Sequence, residues 1–496
     1  MKRRFSDCSS CGKLMLLVGV LVAMPLLVLF FYPDDRIYAW SFAVPSLGSV
    51  LLGTIICLIG RRDADSGFEW QSSMQRSSLT VLFAWIWGIL VGAIPFIISG
   101  QLTVLQALFE SVSGWTTTGL SVMDVAVTPH IFLFHRSFMQ FCGGLGFVMM
   151  MVMLVLGKQS MNLYNAEGHP DKLMPNLKKT AQTIFVMYNS FLVVGIAAYR
   201  FAGMKLFDSV LHTMCALSTG GFSTRLNSIG EYNSLAIEII TIILMLIGTT
   251  NFAVLLLFTK RKWRQVARVS EVGFMFLLLA IFVPLTAVSL SAGLGMNIGE
   301  SFRRASFDVV SALSTTGYST MSYMSWPPFA IGVLILMMLI GGGIGSTAGG
   351  IKMSRVYIML RLALLNIRKR LSPSRKIETP YYVKAQGKTP IDDSLASDTT
   401  GFVVCYLGLF IVGALLTTIT AGCSLTEGMF EFASALGTVG LSIGLTGPTT
   451  GAGTLIIEMF GMMLGRLEIF IILIGIYSGI SIIRQHIKTG TSREEI

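Results

Sequence analysis

The sequence predicts an all-α polytopic membrane protein, and three observations carry that prediction. Apolar residues make up 53% of the 496 positions and charged residues only 13%, with a mean hydropathy of +0.71. An average soluble protein carries about 25% charged residues, so the three or four soluble domains this length could hold are excluded. The deficit of charge also runs along the whole chain, so this is not one anchor on a soluble body. Finally, 29 of the 37 lysines and arginines fall in six short stretches, 1–13, 61–78, 158–180, 260–268, 352–398 and 484–496, and each stretch separates hydrophobic segments. Loops beside membrane spans carry such an excess on their cytoplasmic side. The net charge of +11 is therefore read as an orientation signal. Nucleic acid is not expected as a partner, because no basic domain exists to bind it.

The elements follow in order. Leu14–Tyr32 and Ile37–Gly60 form an N-terminal helical hairpin across the turn Pro33–Arg36, each long enough for the ~20 residues a hydrocarbon core requires. The run Leu14–Phe31 lacks a small-residue cleavage site, so it reads as a retained span. With the linker 61–78, this hairpin makes up residues 1–78. Four repeats follow at 79–180, 181–268, 269–398 and 399–496. Their outer spans are 79–100 and 129–157, 181–203 and 234–259, 269–293 and 327–350, and 399–421 and 451–483. Ten spans place both termini and all six basic stretches in the cytoplasm. The seven cysteines form no disulfide framework, and the Cys8–Cys11 pair has no second pair to complete a zinc site.

Between each pair of spans lies a segment too short and too polar to cross: LQALFESVSGWTTTGLS at 105–121, VLHTMCALSTGGFS at 210–223, FDVVSALSTTGYS at 307–319 and FEFASALGTVGLS at 430–442. All four end in Thr-x-Gly-(Leu/Phe/Tyr)-Ser. One such string is worthless as evidence; four copies in the same frame indicate a repeated structural unit. Non-helical backbone at membrane depth survives only when buried in protein or lining a wet cavity. Glycine permits the positive φ that lets successive carbonyls face a common axis, and rings of carbonyl oxygens replace the hydration shell of potassium. The candidate ligands are Thr117, Thr118 and Gly119; Thr219, Gly220 and Gly221; Thr315, Thr316 and Gly317; and Thr438, Val439 and Gly440. The fold class thus becomes a hairpin plus four span–pore-loop–span repeats around a pseudo-fourfold pore. Loops merely packed together would not explain the shared order. Nine residues before each glycine stand Glu110, His212, Asp308 and Glu431, which either attract cations or pack and cap the half-helices; packing is the favoured reading.

Two further features lie in the spans. LIGGGIGSTAGGIKMSR at 339–355 contains GIGSTA, a match to the dinucleotide fingerprint G-x-G-x-x-A, but a membrane span precedes it where a βαβ unit is needed. Its small residues instead break the helix in mid-membrane, either as a flexible plug below the carbonyl ring or for tight helix packing. The candidate gate comprises Gly341, Gly342, Gly343, Gly345, Ser346, Thr347, Ala348, Gly349, Gly350 and Lys352. Arg466 completes it. An arginine inside a span costs at least about 2.5–3.5 kcal/mol and therefore faces a cavity or a partner. Glu468, Glu458 and the loop carbonyls are the candidates. Arg136 is less telling, because it lies nearer a span end and could snorkel.

The four Thr-x-Gly strings, GGGIGSTAGGIK and MLGRLEIF together resemble the TrkH/TrkG/KtrB superfamily of potassium transport proteins, which includes the plant HKT transporters; the N-terminal hairpin resembles the TrkH branch. The resemblance covers nearly the whole chain. It implies potassium uptake across the cytoplasmic (inner) membrane, a homodimer with one pore per subunit, and cytoplasmic nucleotide-binding regulatory subunits of the TrkA or KtrA type. It also implies that 341–350 acts as an intramembrane gate and that Arg466 lies in the ion path. Potassium is the transported ion, and no organic cofactor is expected. Glycine at Gly119 implies potassium preference, because some sodium-accepting relatives carry serine there. The chain departs from its own repeat only at Gly220, which stands where the other repeats have Thr118, Thr316 or Val439. A secondary transporter with two related halves and a membrane enzyme are the rival classes. Four like units argue against the first, and five scattered histidines without ligand spacing argue against the second.

Overall fold

The computed structural model describes residues 10–59, 73–146, 177–371, 380–467, 469–470 and 472–478. The chain divides into two compact units, one of residues 1–103, 145–183 and 467–496, the other of 104–144 and 184–466.

In the first unit, α1 (Ser10–Ala23) runs into a 3-10 turn at Met24–Phe30, and a second 3-10 turn at Pro33–Tyr38 leads into α2 (Ala39–Ile59). Glycines let the two helices approach closely. A methyl on Gly12 would lie 2.9 Å from the Gly53 carbonyl oxygen, and one on Gly53 the same distance from that of Gly12. Buried serines add hydrogen bonds that lipid cannot supply: Ser49 Oγ donates to Met15 O at 2.7 Å and Ser46 Oγ to Gly19 O at 2.8 Å. Helix α3 (Ser73–Ile98) follows, and its Trp87 Nε1 donates to Ser49 Oγ.

In the second unit, four half-crossing helices, α4 (Val104–Trp115), α7 (Leu206–Leu217), α12 (Ile298–Leu313) and α16 (Leu425–Leu436), carry the semi-polar segments. Between them run α5 (His130–Leu145), α6 (Leu177–Phe201), α8 (Leu235–Thr249), α9 (Phe252–Thr259), the single turn α10 (Trp263–Val266), α11 (Ser270–Leu294), α13 (Pro328–Ile340), α14 (Met353–Leu371), α15 (Asp393–Ala421) and α17 (Ala452–Arg466). The half-helices are buried toward their C-terminal ends, whereas α6, α11 and α15 leave large apolar side chains such as Phe201, Val288 and Ile419 exposed along their length, as a lipid-facing surface requires.

Ten uninterrupted spans are not what the chain builds. Among the described residues, six helices are long and apolar enough to cross a membrane, or seven if α8 and α9 are one bent span. The second span of each repeat is interrupted instead. The expected span 234–259 bends by 115° at Thr250–Asn251, where Asn251 Oδ1 accepts from Ala253 N and starts α9. Helix α5 ends before Gly146 (φ +82°) and α13 before Gly341 (φ +68°), both left-handed positions that glycine adopts freely. Helix α17 ends at Arg466.

The basic stretch 352–398 also holds more order than a loop. β1 (Tyr381–Lys384) and β2 (Gly387–Pro390) pair antiparallel, with Tyr382 opposite Thr389. Tyr382 and Ile391 pack on Ile358 of α14, and Val383 N donates to Ser270 Oγ at 3.0 Å.

Candidate functional site

Each half-helix ends the same way. The backbone N–H of Thr117, Thr219, Thr315 and Thr438 turns back onto the carbonyl of Gly114, Ala216, Ala312 and Ala435, each at 3.2 Å. The next N–H, from Thr118, Gly220, Thr316 and Val439, bonds the carbonyl of Ser113, Cys215, Ser311 and Ser434 at 2.8–3.0 Å. Ser113 Oγ and Ser434 Oγ then accept from Gly119 N and Gly440 N at 3.0 Å. The donors are consumed by the helix ends, which leaves the carbonyl oxygens of these residues as the groups available for a ligand. A helix C-terminus adds partial negative charge at the same place.

Glycine was expected to supply the positive φ, and Gly119, Gly221, Gly317 and Gly440 do so at +96°, +72°, +81° and +97°. The threonines two residues earlier were not expected to. Thr117, Thr219, Thr315 and Thr438 stand at φ +56°, +52°, +56° and +50°, a region that costs a β-branched residue about 1–3 kcal/mol and persists only when the surroundings over-determine it. The same strained position recurs in all four repeats.

The four segments close into a ring. A methyl on Gly119 would lie 2.1 Å from Gly220 O, one on Gly221 2.0 Å from Thr316 O, one on Gly317 2.0 Å from Val439 O, and one on Gly440 2.3 Å from Thr118 O. Each glycine thus touches the next repeat's carbonyl, and the fourth returns to the first. A cavity of about 720 Å³ opens above, lined by all four glycines. The side chains of Thr118 and Thr316 turn away, onto Thr116 Oγ1 and Ser314 Oγ at 2.8 and 2.7 Å. Thr117 Oγ1 and Thr438 Oγ1 are buried with no hydrogen-bond partner in the protein. Buried hydroxyls of that kind need water or an ion.

Residues at minus nine hold the chain that leaves each segment. Glu110 accepts from Ser121 Oγ and Val122 N at 3.0 and 3.1 Å. His212 Nε2 lies 3.0 Å from Ser223 Oγ, and Asp308 accepts from Thr320 Oγ1 at 2.6 Å and Tyr323 Oη at 2.7 Å. Glu431 accepts from Ser442 Oγ at 2.6 Å and from Ile443 N at 3.1 Å. The packing reading therefore fits their contacts, and it covers the histidine too, since all four residues reach across to the segment's own exit. At the mouth, Arg225 pairs with Asp208 at 2.9 Å. Interaction with Tyr232 and Asp208 raises its pKa, and burial pushes the Tyr232 hydroxyl up to about 12, so both keep their protons near neutrality.

Arg136 does not snorkel. It is 2% exposed, with Nε 2.6 Å from Glu110 Oε1, Nη2 donating to Ser121 Oγ at 3.0 Å, and its guanidinium 4.1 Å from the Phe222 ring centre. The ion pair anchors the exit of the first segment. Removing one member of a buried pair strands the other charge, at about 3–5 kcal/mol. We expect Arg136→Ala to lower the midpoint of thermal unfolding of the purified protein sharply, and Arg136→Ala with Glu110→Gln to recover much of the loss. Equal midpoints for the single and double variants would contradict this.

Opposite the cavity, the segment 341–352 lies under the ring, between α13 and α14. Thr347 Oγ1 donates to Leu217 O at 3.0 Å and Gly248 O at 2.9 Å and receives Thr219 Oγ1 at 3.1 Å. Gly349 N donates to Thr315 Oγ1 at 2.8 Å, and a methyl on Gly349 would meet Thr438 Oγ1. Gly342 N bonds Gly349 O, Gly343 N bonds Thr249 O, and Phe252 N bonds Gly345 O. Ser346 Oγ donates to Gly343 O, and Lys352 Nζ to Ala348 O. Gly341 and Gly350 cross in backbone contact, with a methyl on either 2.7 Å from the other's Cα. Arg466 donates to Thr347 O and, at 2.6 Å, to Gly143 O. Among its candidate partners, the loop carbonyl is one that it takes. Glu458 instead lies 3.0 Å from Thr446 Oγ1, and Glu468 lies outside the described residues. Glycines unmarked in the sequence also contribute: Gly143, Gly248 and Gly465 stand behind the first, second and fourth segments, where a methyl would strike Trp115 O, Leu217 O and Leu436 O.

Four re-entrant half-helices in one chain, with their ends converging on a carbonyl-lined ring among membrane helices, define a membrane-embedded transport protein. Comparison with known proteins makes the class specific. Residues 54–477 match the family model described as "TrkH: Cation transport protein", and the chain belongs to that family, one of transporters and not of enzymes. It is 30% identical to "Trk system potassium uptake protein TrkG" of Escherichia coli strain K12 over 486 residues, 95% of this chain and 96% of the relative. It is 28% identical to the TrkH of Halomonas elongata over 488 residues, 93% and 96% of the two chains. The crystal structure of the potassium transporter TrkH from Vibrio parahaemolyticus superposes with a TM-score of 0.80 at 25% identity, covering 96% of this chain and 98% of that one.

Proposed function

We propose that this chain takes up potassium through a gated, potassium-selective pore across the cytoplasmic membrane. The carbonyl oxygens of Thr118, Gly220, Thr316 and Val439 and of their neighbours form its filter, and the loop Gly341–Lys352 with Arg466 forms its gate. The observation that carries the reading is the closed ring, in which each repeat's glycine abuts the next repeat's carbonyl. Such a ring presents dehydrated oxygens to a cation, and the potassium-uptake relatives align over 93–95% of the chain. The loop supports the gate, because it contacts three of the four left-handed threonines from one side.

A cytoplasmic nucleotide-binding partner fits the same reading. Helix α14 starts directly after the loop, with Met353 N bonded to Gly342 O, and the basic helix and the β-hairpin beyond it offer a surface through which a partner can pull. Leu360, Leu364, Ile367 and Leu371, exposed along α14, suit the contact of a homodimer, with both termini in the cytoplasm.

Growth tests the function. Cells lacking potassium uptake are expected to grow at micromolar external potassium when they express this chain; failure despite membrane expression would overturn the reading. In vesicles, flux driven by a potassium gradient alone would support the pore, and flux requiring a proton or sodium gradient would show an ion-coupled transporter instead.

A further inference from the structure

We propose that Gln140 is a positioning residue that sets the second corner of the ring, and that it takes the place of the side chain Gly220 lacks. This rests on the filter reading above.

Gln140 lies on α5, which belongs to the first repeat, yet it serves the second. Its side chain is fully buried. Nε2 donates to Gly220 O at 2.5 Å, and Oε1 accepts from Phe222 N at 3.1 Å. The partners fix the amide's orientation, since a carbonyl can only accept and a backbone N–H can only donate. One side chain thereby clamps both flanks of Gly221.

The clamp explains the one irregularity of the repeats. Thr118 and Thr316 brace their segments with their own hydroxyls, and Ser113 and Ser434 brace the following glycine N–H. The second repeat has neither device, because Gly220 has no side chain and Cys215 stands at the serine's position. A methyl on Gly220 would lie 2.4 Å from both Cδ and Oε1 of Gln140. Glycine and glutamine are therefore two halves of one arrangement.

The equivalent positions of other repeats support this. Gly143, Gly248 and Gly465 back the first, second and fourth segments, and the residue three places before each is Gln140, Met245 and Met462, all fully buried. By the order of the ring, the repeats carrying these residues face Gly220, Thr316 and Thr118 in turn. Methionine goes with a threonine corner and glutamine with the glycine corner.

The chemical consequence concerns one oxygen. Gly220 O is the carbonyl against which Gly119 packs, and it is the ring carbonyl that receives a side-chain amide. The hydrogen bond fixes its direction and draws off part of its negative charge, so this corner offers a weaker field than a free carbonyl. Size and field strength of such oxygens both bear on the discrimination of potassium from sodium.

The test uses the full chain in vesicles, with potassium, rubidium and sodium permeability ratios as readout and Gly119→Ser as reference. Gln140→Met is expected to lower the potassium-to-sodium ratio about threefold or more, as loss of one positioning hydrogen bond implies. Gln140→Leu, which keeps about the same volume and loses both donor and acceptor, should do likewise. Gly220→Thr alone should remove potassium flux, and Gln140→Met with Gly220→Thr should restore flux and ratio, because it rebuilds the methionine–threonine junction of two other repeats. Unchanged ratios for both Gln140 variants while Gly119→Ser lowers its own, or a double variant no better than Gly220→Thr with both recovered as monodisperse protein, would overturn the proposal and leave the filter standing. Unchanged ratios for Gly119→Ser as well would overturn the filter reading and this one with it.

Discussion

Replacing Gly119 by serine is expected to relax discrimination between potassium and sodium by about tenfold, since a side chain held left-handed costs ~1–2 kcal/mol and each 1.4 kcal/mol is a factor of ten. A steric clash with the neighbouring repeat adds to this strain. The new Cβ would sit 2.1 Å from Gly220 O, and that oxygen is backbone held by Gln140. It can yield only by turning out of the ring. A three-oxygen corner set fits a smaller, less selective coordination, so sodium gains more than potassium loses. Permeability ratios in vesicles check this, and unchanged ratios would remove the filter assignment.

Replacing Arg466 by alanine is expected to raise flux in the absence of any regulatory partner by about ten- to a hundredfold. Hydrogen bonds from a charged donor contribute about 1.5–3 kcal/mol each, and those of Arg466 join the loop at Thr347 O to the end of α5 at Gly143 O and Gly144 O. The substitution removes both a positive charge beneath the ring and these bonds to the loop, which under the proposed gating would free it. Deleting Gly343–Gly350 should act in the same direction. Tracer uptake by vesicles of equal protein content measures both. A lower flux in the deletion would show that the loop is structural packing rather than a plug.

Much of this site was legible in the sequence, because four imperfect copies of one string expose what any single copy hides. Spacing alone placed Gly119, Gly221, Gly317 and Gly440 together, and the structure assembles them in one ring. The small-residue run at 341–350 was readable as a helix break for a similar reason: few sequences abandon side chains for so long inside a span. What was illegible had its cause elsewhere in the chain. Thr117 and its counterparts adopt positive φ against their own preference, because the packing of neighbouring repeats outweighs a local cost of a few kcal/mol. Arg136 looked like a snorkelling cation because its partner, Glu110, lies 26 residues away on another helix. The hairpin at 381–390 was hidden by its charge, although Tyr-Tyr-Val-Lys followed shortly by glycine is a weak strand-and-turn signal. Gly220 was noticed as an exception, but its reason sits on α5, and one sequence offers no means of pairing it with Gln140.

Because every glycine leans on the oxygen of the repeat that follows it and never on the one across, the assembly has a rotational sense, like tiles each overlapping the next. Disturbance at one tile passes to the two that adjoin it before reaching the one across. Paired substitutions at adjoining tiles should therefore interact strongly, while those at diagonal tiles should combine as independent effects. The two diagonals also differ, since only one of them includes the tile that borrows its brace from another repeat.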